Sequence, residues 1–222
     1  MHVVVNAATS ADGKLSSRDR TQVAISGSED FDRVDAIRAQ SDAVMVGVGT
    51  VLADDPRLGV TSAERVRDRE ARGEPAHPAR VVADSRARTP PDAAVVDDSA
   101  QTYVLVAADA PADRRARLTS DTTEIVETGA ERVDVAAGLD ALEARGVANC
   151  MVEGGGELLF SLFDAGLVDE LTVYVGSKLI GGRDAPTLVD GDGFTEPDFV
   201  DLALEDVSRV DDGVLLAYDV EH

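Results

Sequence analysis

The sequence predicts an α/β domain with a mixed, mainly parallel central sheet, helices on its faces and an antiparallel hairpin at the end of the chain. Three observations carry that prediction. Short apolar runs of strand length alternate with stretches of helical periodicity, glycines follow directly on two of those runs, and the last two β-patterned segments are joined by Asp211-Asp212-Gly213, a good hairpin signal. No repeat or low-complexity linker divides the 222 residues, so a single domain over 1–222 with a sizeable core is expected.

Taken in order, residues 2–8 form an apolar run that reads as a core strand delivering the polar turn Ser10-Ala11-Asp12-Gly13-Lys14. Ser28 offers an N-cap and Glu29-Asp30 an acidic first turn for a helix reaching about Gln40, with Phe31, Val34, Ile37 and Arg38 at helical spacing. Ala43 to Val48 is a second buried strand. The Arg/Glu-rich stretch 63–73 alternates in sign and reads as a solvated helix or long loop. Strands are expected over 80–84, 102–107 and 124–127, a helix over 135–145 and a strand over 149–153. The next helix opens within Gly155-Gly156-Glu157 and closes at Gly166. A strand over 171–175 and the paired segments 202–210 and 214–220 complete the pattern.

Charge narrows the function. With 21 Lys and Arg against 43 Asp and Glu, the formal charge is −22. Such a surface repels phosphate backbones and acidic lipid headgroups, which argues against nucleic acid and membranes as partners. Lys14 and Lys178 are the only lysines; every other cation is arginine. An acidic, lysine-poor exterior points to a cytoplasm at very high salt, where screening removes most self-repulsion, with a merely acidic protein of ordinary salt as the alternative. The single cysteine, Cys150, allows no intrachain disulfide and fits a reducing compartment. The opening Met1-His2-Val3-Val4-Val5-Asn6 has no basic n-region, and no apolar run reaches the ~18 residues of a membrane span.

Histidines occur only at 2, 77 and 222, so no His/Cys set for a metal is expected, the zinc-deaminase signature is missing, and a Ser-His-Asp or Cys-His hydrolase is a poor fit. Three constellations remain. The first is Glu153-Gly154-Gly155-Gly156-Glu157-Leu158, a strand end whose glycines open a helix; a backbone without Cβ atoms can approach a phosphate and present N–H groups to it. It matches neither G-x-G-x-x-G nor G-x-x-x-x-G-K-[ST], and a plain tight turn is the competing reading. The second is Gly47-Val48-Gly49-Thr50-Val51-Leu52-Ala53-Asp54-Asp55-Pro56-Arg57-Leu58, where Gly47 and Gly49 permit close approach and Thr50 and Asp54 offer hydrogen bonds; Thr50 as an N-cap and Asp54-Asp55-Pro56 as a turn is the alternative. The third joins Asn6, the Ser10–Lys14 turn and Arg38; Lys14 suits a phosphate or substrate contact, or a salt bridge.

Together with Arg80-Val81-Val82-Ala83-Asp84-Ser85, Gly166-Leu167-Val168-Asp169-Glu170-Leu171 and Gly181-Gly182-Arg183-Asp184-Ala185-Pro186-Thr187, these segments resemble, over essentially the whole chain, the riboflavin-biosynthesis reductases. This is the dihydrofolate-reductase-like domain at the C-terminus of bifunctional riboflavin deaminase-reductases, and the chain is most similar to its stand-alone archaeal branch. The resemblance implies a dihydrofolate-reductase-like fold and reduction by NADPH or NADH of a ribosylamino-pyrimidine 5′-phosphate to its ribitylamino product, with hydride going to C1′ of the sugar and no metal. By position, it makes Thr50, Asp54, Ser85 and Gly154 to Leu158 cofactor contacts. Asn6, Lys14, Thr21, Ser26, Arg38, Arg57, Leu58 and Glu153 fall around the substrate. It further implies Arg38, helped by Arg57 or Lys14, on the 5′-phosphate, Glu153 on the pyrimidine or ribose, Lys14 or Asp12 in proton delivery, and a homodimer.

The chain departs from many bacterial relatives where they carry an arginine in a Leu-Thr-x-Arg pattern: it reads Leu58-Gly59-Val60-Thr61. Arg86 or Arg88, after Ser85, is placed to choose between NADPH and NADH. Two other functions fit the same residues, a same-fold reductase of a pterin, dihydrofolate or other carbonyl, and a non-catalytic nucleotide-binding module.

Overall fold

A computed structural model describes residues 1–21 and 23–221; Gln22 and His222, one of the three histidines considered above, lie outside the described residues. In chain order the elements are β1 (His2–Ser10), α1 (Ser28–Gln40), β2 (Ala43–Gly47), α2 (Val48–Asp54), α3 (Ala63–Ala71), β3 (Ala79–Ala83), a 3-10 turn (Ala94–Val96), β4 (Thr102–Val106), α4 (Ala112–Leu118), β5 (Thr123–Glu127), α5 (Val135–Glu143), β6 (Asn149–Gly154), α6 (Gly156–Asp164), β7 (Glu170–Gly176), β8 (Leu202–Val210) and β9 (Gly213–Val220). By packing, the chain divides into two compact units, one of Met1 with Asp35–Met151 and one of His2–Val34 with Val152–His222, so α1 and β6 each contribute to both.

In the first unit the strands run in the order β5-β4-β3-β2-β6, and β2 through β5 pair in parallel, Val44 beside Arg80 and Val82 beside Val104. Parallel strands bury both faces, which is why β2 is apolar at consecutive positions and buried throughout. Both ends of α2 depart from the sequence expectation. It begins directly at the end of β2 with Gly47 as N-cap, placing Thr50 within the first turn, and it ends on Asp55 in a left-handed conformation at φ 43°. Helix α4, preceded by Pro111 as N-cap, is a strongly polar segment with no clear apolar stripe. The charged stretch 63–73 is helical over α3, yet it is more than a solvated surface: Arg69 is 2% exposed and donates to the carbonyls of Pro75, Ala39 and Ser41 at 2.9–3.0 Å. Arg80 is likewise buried, donating to the carbonyls of Ala94, Asp97 and Ala100.

The second unit carries the order β6-β1-β7-β9-β8. Strand β1 pairs in parallel with β7, Asn6 beside Thr172, while β7–β9 and β9–β8 are antiparallel. The turn Asp211-Asp212 closes the hairpin as expected, with Asp211 at φ 50°. A bulge between Leu204 and Asp206 shifts the register of β8 by one residue, so Leu202, Leu204 and Val207 all stand opposite the same face of β9 as Val220, Tyr218 and Leu216. Helix α1 covers the expected residues, but Phe31 is 62% exposed, whereas Asp30 and Asp35 are buried. Each buried carboxylate has partners. Asp30 pairs with Arg33, and Asp35 accepts from the backbone N–H of Thr61 and Ser62.

Candidate active site

In α/β folds the loops at the carboxyl ends of parallel strands receive ligands, because chain direction gathers helix starts and turns there. In the first unit β2 ends on Gly47, and α2 follows without a side-chain cap. A Cβ at Gly49 would meet nothing, so the space beside this glycine is open, and Thr50 beside it is half-buried. Asp54 is exposed on the last turn of α2, while the protein packed behind its carboxyl pushes its pKa upward by desolvation. Leu58 has φ 55° with a side chain only 1% exposed, so a ligand can meet only its main chain. Arg57 points into solvent, 3.7 Å from Asp97. Half-buried Arg38 donates Nη1 to the carbonyl of Gly59 at 3.2 Å, which ties the end of α1 to the segment after Leu58.

At the end of β3, Asp84 is fully buried and accepts from the N–H and hydroxyl of Thr89 at 2.7 and 2.9 Å, with Arg88 Nε 3.6 Å from its other oxygen. Ser85 Oγ accepts from the N–H of Val133. Beyond this turn lies a cavity of about 450 Å³ lined by Arg88, Thr89, Pro90, Arg114 and Arg117 among others. Three guanidiniums thus line one hollow, Arg88 beside Asp84 and Arg117 3.3 Å from Asp113.

In the second unit β1 ends in the Ser10–Lys14 turn. Asp12 accepts from Ser10 Oγ and from the N–H groups of Ile180 and Gly181 at 2.7–3.0 Å. Those hydrogen bonds hold its pKa down at about 2, so at neutral pH it is an ionised loop anchor. Lys14 Nζ donates to the carbonyl of Ala185, and Lys178 Nζ to that of Ala24, so both lysines of the chain end on main-chain acceptors. Asn6 is 6% exposed, with its carboxamide oxygen bonded by Arg33 and Thr172. Thr21 is exposed and Ser26 half-buried.

The glycine turn after β6 takes the form expected of a close-approach loop. Gly154 and Gly155 adopt φ 149° and 101°, conformations that side chains disfavour, and Gly155 is the N-cap of α6 with no side-chain acceptor to offer. Gly156 has a different reason to be glycine: a Cβ there would stand 2.6 Å from the Asp190 carboxylate and 2.9 Å from the carbonyl of Thr187. Its missing side chain makes room for this chain's own 187–190 segment. Glu157 is exposed and Leu158 buried, leaving Leu158 only its N–H for a ligand, while Glu153 is half-buried at the end of β6. Glycine turns, an uncapped nine-residue helix start and scattered hydroxyls fit a phosphate-bearing dinucleotide. Among the described residues, no three His, Cys, Asp or Glu side chains converge as metal ligands, and no helix is long and apolar enough to cross a membrane.

Sequence reasoning did not find Arg33, Thr172, Asp190, Asp211 or the Arg114/Arg117 side of the cavity. Each is brought in from a distant part of the chain or from a polar helix with no pattern of its own.

Comparisons with known proteins place the chain in a family. The family described as the RibD C-terminal domain matches residues 1–216. The chain is 46% identical over 212 residues to the 2,5-diamino-6-ribosylamino-4(3H)-pyrimidinone 5′-phosphate reductase of Archaeoglobus fulgidus, covering 96% of this chain and 94% of that protein. It is 41% identical over 221 residues to the protein of the same name from Methanothermobacter thermautotrophicus, covering 99% and 98%. Among solved structures, a pyrimidine reductase-like protein from Corynebacterium diphtheriae has a TM-score of 0.80 at 19% identity, with 100% of this chain and 92% of that one covered. The last likeness speaks to fold alone.

Proposed function

The chain belongs to the RibD C-terminal domain family, and from that premise we propose that it catalyses the reduction of 2,5-diamino-6-ribosylamino-4(3H)-pyrimidinone 5′-phosphate in riboflavin biosynthesis, turning the ribosylamino group into ribitylamino. The observation that carries this is near full-length identity to archaeal proteins of that name. The family match over 1–216 also supports treating both packing units as one reductase domain.

A nicotinamide dinucleotide supplies the hydride for such a reaction, and the protein supplies position and electrostatics. The residues proposed as cofactor contacts are Gly47, Gly49, Thr50, Asp54 and Ser85, and the Gly154–Leu158 turn is proposed for a pyrophosphate. NADPH is favoured over NADH by the guanidiniums of Arg88, Arg114 and Arg117, a donor set suited to an additional phosphate. On the substrate, Arg38 with Arg57 is assigned to the 5′-phosphate, and Asn6 and Glu153 to polar atoms of the ribose and base. Reduction opens the C1′–O4′ bond and leaves O4′ needing a proton. Lys14 is the group assigned to it, since Asp12, ionised at neutral pH, has no proton to give.

Purified in molar KCl, the protein should oxidise NADPH when given the pyrimidine ribosyl phosphate and not when given dihydrofolate. NADPH should outperform NADH at least tenfold in kcat/KM, a margin that Arg88→Ala narrows. Cofactor binding without turnover, or turnover with dihydrofolate, would sink this reading.

We further infer a homodimer in a high-salt cytoplasm. The apolar face that the bulge lines up on β8 and β9 leaves Leu202, Leu204, Val207 and Val214 between 39% and 55% exposed, on a chain whose charge otherwise keeps copies apart. A second copy is the complementary occupant. Sedimentation in molar salt should find a two-chain particle that Val207→Glu converts to one chain; a single-chain particle from the unaltered protein refutes it.

A further inference from the structure

The Asn6 carboxamide is set before any ligand arrives. Asn6 and Thr172 are neighbours in the parallel register of β1 and β7, and Thr172 Oγ1 donates to Asn6 Oδ1 at 2.9 Å. From α1, Arg33 Nη2 reaches the same oxygen at 2.6 Å. A guanidinium has donors only, so the atom facing it is the carboxamide oxygen, and the amide nitrogen must stand on the other side. Arg33 is itself held, its Nε and Nη2 both donating to the buried carboxylate of Asp30 at 3.0 and 2.7 Å. Asp30 sits in the first turn of α1, where its N–H, with those of Gly27 and Glu29, is bound by the Asp211 carboxylate from the β8–β9 turn. Both hydrogen bonds of the Asn6 side chain end on Oδ1. Among the described residues its NH₂ makes none, and on a residue only 6% exposed that nitrogen keeps a contact with solvent, where a ligand can reach it. A pre-oriented and unspent donor at the solvent edge of a candidate site is placed to meet a ligand.

We infer that Arg33 and Thr172 are positioning residues that fix Asn6 as a hydrogen-bond donor, so that it meets the substrate through an oxygen acceptor, a carbonyl or hydroxyl, and rejects an amino group at that point. The inference rests on the reductase reading given above and adds a specificity element to it. An oxygen acceptor completes the network, whereas an amino group would set donor against donor.

The test is Asn6→Asp. A carboxylate keeps both acceptor bonds, to Arg33 and to Thr172, and replaces only the NH₂ with a second acceptor. A purely structural role for Asn6 therefore predicts unchanged turnover. The donor role predicts about a hundredfold loss of kcat/KM for the pyrimidine phosphate with cofactor Kd and Tm unchanged. Thr172→Val, which loosens half of the clamp and leaves Asn6 in place, should cost about tenfold, chiefly in KM. Wild-type turnover matched by Asn6→Asp overturns the inference alone. No turnover by wild type overturns the reductase reading, and the inference falls with it.

Discussion

Two sets of buried or looped anchors, one in each packing unit, hold the main chain with opposite chemistry. In the first, Arg69 and Arg80 are buried guanidiniums that donate to main-chain carbonyls: Arg80 alone holds Ala94, Asp97 and Ala100, and its Nη1 also meets the Asp97 carboxylate at 2.8 Å. In the second, the anchors are carboxylates, one exposed (Asp12) and one half-buried (Asp211), that accept from main-chain N–H groups. Asp12 holds Ile180 and Gly181, and Asp211 holds Gly27, Glu29 and Asp30. A guanidinium keeps its charge at any pH a protein survives, but a carboxylate does not. The carbonyls around Arg69 and Arg80 are thus held by permanent charge and the N–H groups around Asp12 and Asp211 by titratable charge, while Asp35 and Asp84 in the first unit and Lys14 in the second show that neither chemistry is confined to one unit.

The largest effect expected from that contrast is at Arg80. Arg80→Met keeps the bulk of the side chain but leaves three carbonyls and a partly buried carboxylate without their donor, at a cost of about 3–4 kcal/mol. Denaturant unfolding should show the loss, and hydrogen exchange should show it opening 94–100 first. A variant within about 1 kcal/mol of wild type would mean that water replaces the guanidinium readily and that the permanent lock is not one.

How much of this was legible in the sequence follows from how local each feature is. Strands β2, β3 and β4 stood out because strands buried on both faces need apolar residues at successive positions, and Asp211-Asp212-Gly213 announced its hairpin through residues that tolerate positive φ. The glycine turn before α6 could be read for the same reason. Helix α4 could not, since its seven residues include three arginines and an aspartate and carry no apolar period, and Phe31 misled because the helix turns two paired aspartates inward in its place. Asn6 was visible as a polar residue in an apolar strand; what orients it was not. Arg33 lies 27 residues away and Thr172 lies 166, and only the parallel pairing of β1 with β7 brings the second one alongside. The same holds for Asp211, whose role as a cap for α1 spans more than 180 residues.

The smaller effect, and the sharper one for the comparison, is acid. Hydrogen bonds from Ser10 and from the backbone hold Asp12 at about 2, below the ordinary 3.8, and backbone hydrogen bonds, first from Asp30, lower Asp211 in the same direction. A carboxylate whose folded pKa is depressed stabilises the fold fully above its unfolded value, and that contribution is lost as pH falls through 3.8 toward the folded value. Between these limits, amide protection should fall at Gly27, Glu29, Asp30, Ile180 and Gly181, whose N–H groups the two carboxylates accept. It should persist at Ala93 and Val96, whose N–H groups bond the carbonyls of Pro90 and Ala93 beside the segment that Arg80 holds. Asp211→Ala should reproduce the Gly27–Asp30 part of that loss at neutral pH while leaving Ile180 and Gly181 protected, because Asp12 is untouched. Loss at all seven amides at a single pH would mean that the molecule opens as a whole under acid, and the difference between permanent and titratable anchoring would then have no consequence for its stability.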